Sequence, residues 1–137
     1  NGDGYEDIGT EIRRRGMSEY VLQAGFRANT EEFLASSDAY VSSALYNEAM
    51  SFAILEALGA GLPLVLTHVG GNPELVNTGE ICGLLAPYGD EDAYAGAIAK
   101  LLEDDALRAS FAAAARAKAE REFDLYTLLD KLFEIYK

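Results

Sequence analysis

The sequence predicts an α/β domain whose core is a parallel sheet flanked by helices, and three observations carry that expectation. Short runs rich in strand formers, at 39–42, 64–67 and 83–86, alternate with stretches of helical composition; parallel strands need long crossovers, which are usually helices. These runs carry no charge, as befits strands covered on both faces. Half of the 137 residues are hydrophobic, which suits one globular domain with a substantial core.

The chain opens with Asn1-Gly2-Asp3-Gly4, a turn whose Gly-x-Gly leads into a helix over 5–15 and so could form a phosphate loop through Gly2 and Gly4, a weak signal without a preceding strand. The helix ends at Gly16. Its Arg13-Arg14-Arg15 run could grip a diphosphate, but cations in a last helical turn complement the dipole and face water, which is the favoured reading. Residues 20–24 are expected to form a short strand closed by Gly25. Asn29 with Glu32 three positions later resembles a capping box for a short helix that turns Phe33 and Leu34 inward. The strand at 39–42 follows.

Ser51 is a candidate N-cap for a helix over 52–60, with Gly61 placed for a left-handed C-cap and Pro63 blocking continuation. After the strand Leu64–Thr67, Gly70 and Gly71 supply a tight turn, Asn72 a cap, Pro73 the first helical position and Glu74 a first-turn acid. The strand Gly83–Ala86 ends at Pro87. Beyond about residue 90 the chain is helical. Asp90 caps a helix with the stripe Tyr94, Ala97, Ile98, Leu101 and Leu102. A second, alanine-rich helix spans Asp105–Glu122, with Leu107 and Phe111 inward. Asp124 caps a third, whose stripe of Leu125, Leu128, Leu129, Leu132, Phe133 and Tyr136 suits core packing better than a partner surface.

Composition narrows the function. A net charge of −12 argues against nucleic acid and anionic membrane surfaces, which require basic patches. No apolar run approaches the ~20 residues that cross a bilayer, and no signal-peptide pattern opens the chain. The single Cys82 allows no internal disulfide and reads as a small buried filler; no Cys/His cluster has zinc spacing. A cytoplasmic setting fits best. The absence of an initiator methionine suggests a fragment or a processed product.

The candidate site lies at 46–63. Glu48 and Glu56 are eight positions apart, the first before the helix at 52–60 and the second about one turn inside it. Amides around Met50, Ser51 and Phe52 would be unpaired at the helix tip, where the dipole adds positive potential and phosphate binds. Ionised carboxylates only accept hydrogen bonds, so a ligand with phosphate at this tip should carry hydroxyls on both flanks. A sugar nucleotide has that order of parts. The bland alternatives are a solvent-facing or arginine-paired Glu56 and a Glu48 that merely complements the dipole. A glycosidase pair fits poorly, because it gives the anion-binding tip no purpose. His68 reads as a packing or surface residue.

Glu48-x7-Glu56, followed by Ala57-Leu58-Gly59-Ala60-Gly61-Leu62-Pro63 and the turn Gly70-Gly71-Asn72-Pro73-Glu74, resembles the donor-binding half of retaining GT-B glycosyltransferases, family 4. The resemblance runs nearly end to end. It implies a Rossmann-like parallel sheet, the incomplete C-terminal half of a GT-B enzyme, and a nucleotide-diphosphate sugar as substrate with no metal or other cofactor. It gives Glu48 the catalytic position on the donor sugar, Glu56 the ribose, and the amides of Ala49, Met50, Ser51 and Phe52 the diphosphate. Gly70 and Gly71 lie close to the donor cleft in such enzymes, and Gly25, Phe26 and Arg27 near the nucleobase. Relatives often have Gly-Phe-Gly or Gly-Phe-Pro after the first Glu; Ala49 adds a methyl where glycine lets backbone approach, and Ser51 could add a hydroxyl contact.

The resemblance also implies absent parts: the N-terminal acceptor domain, the Arg and Lys that neutralise the diphosphate, and the first two strands of the sheet. Because leaving-group stabilisation dominates such transfer, these residues alone are expected to show none. The missing strands would leave 20–24 and 39–42 rearranged to pair, bridged by a second chain, or bordering an exposed edge through which an oligomer could form. The implied acceptor is a sugar, a lipid or a small molecule. The alternative function is a non-catalytic, truncated nucleotide-sugar-binding module.

Overall fold

The computed structural model describes residues 4–46 and 49–136. The chain divides into two compact units, Asn1–Thr30 and Glu31–Lys137.

In the first unit, α1 (Tyr5–Arg14) starts from a left-handed Gly4 (φ 81°) and ends in a basic turn. Arg14 and Arg15 both pair with Glu11, and Arg13 donates to the Thr10 hydroxyl, so the arginine run is a solvated helix end. The strand expected over 20–24 does not form. The amides of Tyr20 and Val21 both donate to the Met17 carbonyl in a turn, and Tyr20 and Leu22 stand in solvent. Strand-forming composition makes no strand without a neighbour to take its amides and carbonyls. Gln23 ties this stretch to α1 instead: its Nε2 donates to the Tyr5 carbonyl and the Tyr5 hydroxyl donates to the Gln23 carbonyl. Gly9 makes the approach possible, since a Cβ there would lie 2.6 Å from Gln23 Oε1.

After α2 (Thr30–Ala35), the second unit runs β1 (Tyr40–Ser42), α3 (Phe52–Gly59), β2 (Leu64–Thr67), α4 (Asn72–Asn77), β3 (Gly83–Ala86), α5 (Glu91–Glu103), α6 (Asp105–Glu122) and α7 (Leu125–Ile135). The strands are parallel in the order β1-β2-β3, with Val65 opposite both Val41 and Leu84. The expected α/β class, a parallel sheet with flanking helices, therefore holds with three strands. Among the described residues β1 pairs only with β2, so its outer side is an edge, and Val41 is half exposed.

β2 is buried throughout, and alternation sends its side chains to two cores. Leu64 and Leu66 join Ile54, Ala57, Leu58, Leu75, Val76, Cys82 and Ala115 between the sheet and α3, α4 and α6. Val65 joins Leu101 and Phe111 on the other face. Gly83 sits opposite Leu64 so closely that a Cβ would clash with its backbone, which demands glycine there. Cys82 is the buried filler expected; its thiol donates to the Leu75 carbonyl (3.3 Å), and burial pushes its pKa up.

Several expected faces turn outward. Phe33 and Leu102 are exposed, while Leu34 packs on the core and Leu101 is buried. No described residue of α7 is buried; Leu125, Leu128, Leu129, Leu132, Phe133 and Tyr136 all lie exposed. The stripe has helical period but no face of the sheet left to cover, because α3 to α6 already occupy both.

Candidate functional site

The candidate site stands at the carboxyl ends of β1 and β2, where open α/β sheets take ligands. Ser51 has the extended conformation of an N-cap (φ −87°, ψ 123°), and its carbonyl accepts from Ile54 and Leu55 at 3.1 Å. Its side chain, however, makes no capping hydrogen bond. Among the described residues the amides of 50–53 have no partner, so the tip of α3 keeps its donors and its positive dipole end for a ligand. At the other end the expected left-handed cap forms at Gly61 (φ 74°), with Gly61 N–H donating to Leu58 and Leu62 N–H to Ala57.

Glu56 is exposed and lies four residues into α3 from Phe52, on the same outward face, about 6 Å along the axis. Tyr46, Met50 and Phe52, next to the tip in sequence, are exposed. Gly70 is left-handed (φ 50°) and Gly71 precedes α4, so their turn leaves β2 at the same end of the sheet. The structure thus places 49–52 and the Gly70-Gly71 turn at the same end of the sheet, with Glu56 one turn into α3. Glu48 and Gly2 lie outside the described residues. Gly4, Phe26 and Arg27 belong to the first unit, where Gly4 starts α1 and Phe26 is exposed. His68 is exposed, with its amide donating to the Ala86 carbonyl (2.8 Å).

Asn72 departs from expectation. Gly71 holds the capping position, and Asn72 is buried inside the first turn of α4, where its Nδ2 donates to the Thr67 carbonyl (2.9 Å). Thr67, also buried, donates its hydroxyl to the Ala44 carbonyl (2.7 Å). Sequence reading takes these two as a cap and a strand residue. Their signal is that a polar group ending an apolar strand at this end of the sheet must find a partner.

Residues 1–104 match the family model of the glycosyl transferases group 1. The chain belongs to that family. Among relatives within the glycosyl transferases group 1, it is 31% identical over 141 residues to the amylovoran biosynthesis glycosyltransferase AmsK of Erwinia amylovora, a match covering 98% of this chain and 34% of that protein. It is 32% identical to the N-acetyl-alpha-D-glucosaminyl L-malate synthase of Bacillus anthracis, over 98% of this chain and 35% of the enzyme. The fold superposes on Anabaena Alr3699/HepE in complex with UDP with a TM-score of 0.88 at 29% identity, covering 96% of this chain and 36% of that one. The same protein in complex with UDP-glucose gives 0.85. The chain spans about a third of the length of the curated relatives it matches.

Proposed function

We propose that the chain is the donor-binding part of a retaining glycosyltransferase whose substrate is a nucleotide-diphosphate sugar, with no metal required. The amides of Ala49, Met50, Ser51 and Phe52 receive the diphosphate, Glu56 accepts from the ribose hydroxyls, and Glu48 accepts from hydroxyls of the donor sugar. Gly70 and Gly71 border the cleft. The observation that carries this reading is the bare tip of α3, with Glu56 one turn behind it on the exposed face. Binding there lets the amides stabilise the departing nucleotide diphosphate as its charge develops, the largest lever in such transfer. The cations and acceptor-binding groups belong to other parts of the enzyme, and the setting is the cytoplasm.

The likeness to a protein crystallised with UDP and UDP-glucose supports testing uridine nucleotides first. Calorimetric titration of the chain with UDP, GDP and ADP checks the assignment. At least one should bind, and Glu56→Gln should weaken that nucleotide about ten-fold. Absence of binding by all three overturns the donor site, and unchanged affinity in Glu56→Gln overturns the ribose role.

A further inference from the structure

Thr67 and Asn72 are buried polar residues of the second unit, and both lie at the ligand end of the sheet. Their hydrogen bonds form a continuous path: Asn72 Nδ2 donates to the carbonyl of Thr67, and Thr67 Oγ1 donates to the carbonyl of Ala44, two residues beyond the end of β1. The path joins the start of α4, the end of β2 and the residues just after β1. A backbone carbonyl just past a strand end has no ladder partner, and here the Thr67 hydroxyl supplies one across 23 residues of chain.

We propose that Thr67 and Asn72 are positioning residues: together they brace the chain at 43–46, just after β1, and so aim the amides of the α3 tip at the donor diphosphate. The proposal rests on the donor-site reading above. Thr67 acts because its hydroxyl is the one donor, among the described residues, that reaches Ala44. Asn72 acts through Thr67, fixing the peptide that carries the hydroxyl and linking the loop to the Gly70-Gly71 turn. A site built on backbone amides depends on such support, since misplacement of the loop degrades every amide contact at once.

Thr67→Val keeps the shape of the side chain and removes the donor; Thr67→Ser restores it. Backbone order parameters of the chain, from NMR relaxation, read the brace directly. Thr67→Val should lower the order parameters at 43–46 and 49–52 from about 0.85 to below about 0.6 while β2 and β3 stay rigid, and Thr67→Ser should restore them. The UDP dissociation constant should rise about ten-fold in Thr67→Val and recover in Thr67→Ser. Asn72→Ala should loosen the same loop, and it serves as the test if Thr67→Val does not fold. Unchanged order parameters at 43–46 and 49–52, equal effects of Val and Ser, or an Asn72→Ala effect confined to 70–74 would each overturn the brace. Failure of the unaltered chain to bind UDP would instead count against a uridine donor, and the order parameters would still decide the brace.

Discussion

The two ends of the helices that follow the strands are finished in opposite ways. At the carboxyl ends, α6 supplies cations. Arg116 Nη1 donates to the Gly59 carbonyl (2.5 Å) at the end of α3, and Lys118 Nζ to the Leu75 carbonyl (2.6 Å) in the last turn of α4. Arg108 Nη1 donates to the Leu101 and Leu102 carbonyls (3.2 and 3.0 Å) at the end of α5. At the amino ends, α3 and α4 have no side-chain cap, whereas α5, α6 and α7 are each closed by an aspartate, Asp90, Asp104 and Asp124. The helix dipole favours cations at one end and anions at the other. A chain with only 11 Lys and Arg thus spends three of them away from the ligand, and leaves bare the helix ends beside β1 and β2. The carboxyl ends hold the fold together; on the proposed function, the uncapped tip of α3 is the end that would take the anionic ligand.

That division can be broken at either end. The largest effect should come from Lys118→Ala, which removes a fully buried side chain and its charge-assisted bond, leaving the Leu75 carbonyl, among the described residues, with the weak thiol donor of Cys82. Urea unfolding should show a loss of about 2–3 kcal/mol, with UDP affinity unchanged for the molecules that remain folded. A loss of affinity without a loss of stability would contradict the division of labour. Ser51→Asp gives α3 the finish that Asp90 gives α5. Its carboxylate would occupy the free amides and repel phosphate, so UDP should bind about ten-fold more weakly while stability rises by about 0.5 kcal/mol. Tighter UDP binding would mean that the tip is not the phosphate site. Arg116→Ala should cost about 1 kcal/mol, because Arg116 is largely solvated and also pairs with Glu120. Urea midpoints compared with Lys118→Ala would show whether burial sets the ranking.

Much of the second unit is legible in the sequence because local chemistry and tertiary contacts agree there. Leu64–Thr67 and Gly83–Ala86 are strands at the positions their composition predicts, and Asp90, Asp124 and Gly61 finish their helices as their residue types require. The failures share a cause, which is that partners lie far away along the chain. Residues 20–24 have strand composition and no strand beside them. The stripe of α7 keeps perfect helical spacing with no surface left to bury it, and Phe33 points away from the core that Leu34 meets. The bare α3 tip and the outward Glu56 follow from helix periodicity, so that part of the site is readable in advance. The Thr67 to Ala44 bond is not, since it depends on how β1 and β2 align and where the intervening loop passes.

The smallest expected effect concerns a helix end outside this scheme. In α1 the basic last turn meets a carboxylate rather than backbone: Arg14 and Arg15 both bond Glu11, and these pairs, the Arg14 hydrogen bond first, lower its pKa from 4.5 to about 2. A carboxylate whose folded pKa is depressed adds stability above its unfolded pKa and loses it as pH falls through the folded value. The contribution should therefore be complete above pH 4.5 and fade towards pH 2. Glu11 and both arginines are exposed, so salt should screen it as well. Urea midpoints of the chain and of Glu11→Gln, taken at pH 7 and pH 3 in low and high salt, read this directly. The two proteins should differ slightly at pH 7 in low salt, differ less at pH 3, and converge at pH 7 in high salt. A difference that persists unchanged in high salt would mean that Glu11 acts through packing of α1, and that a solvated helix end can be as firmly closed as the buried one at Lys118.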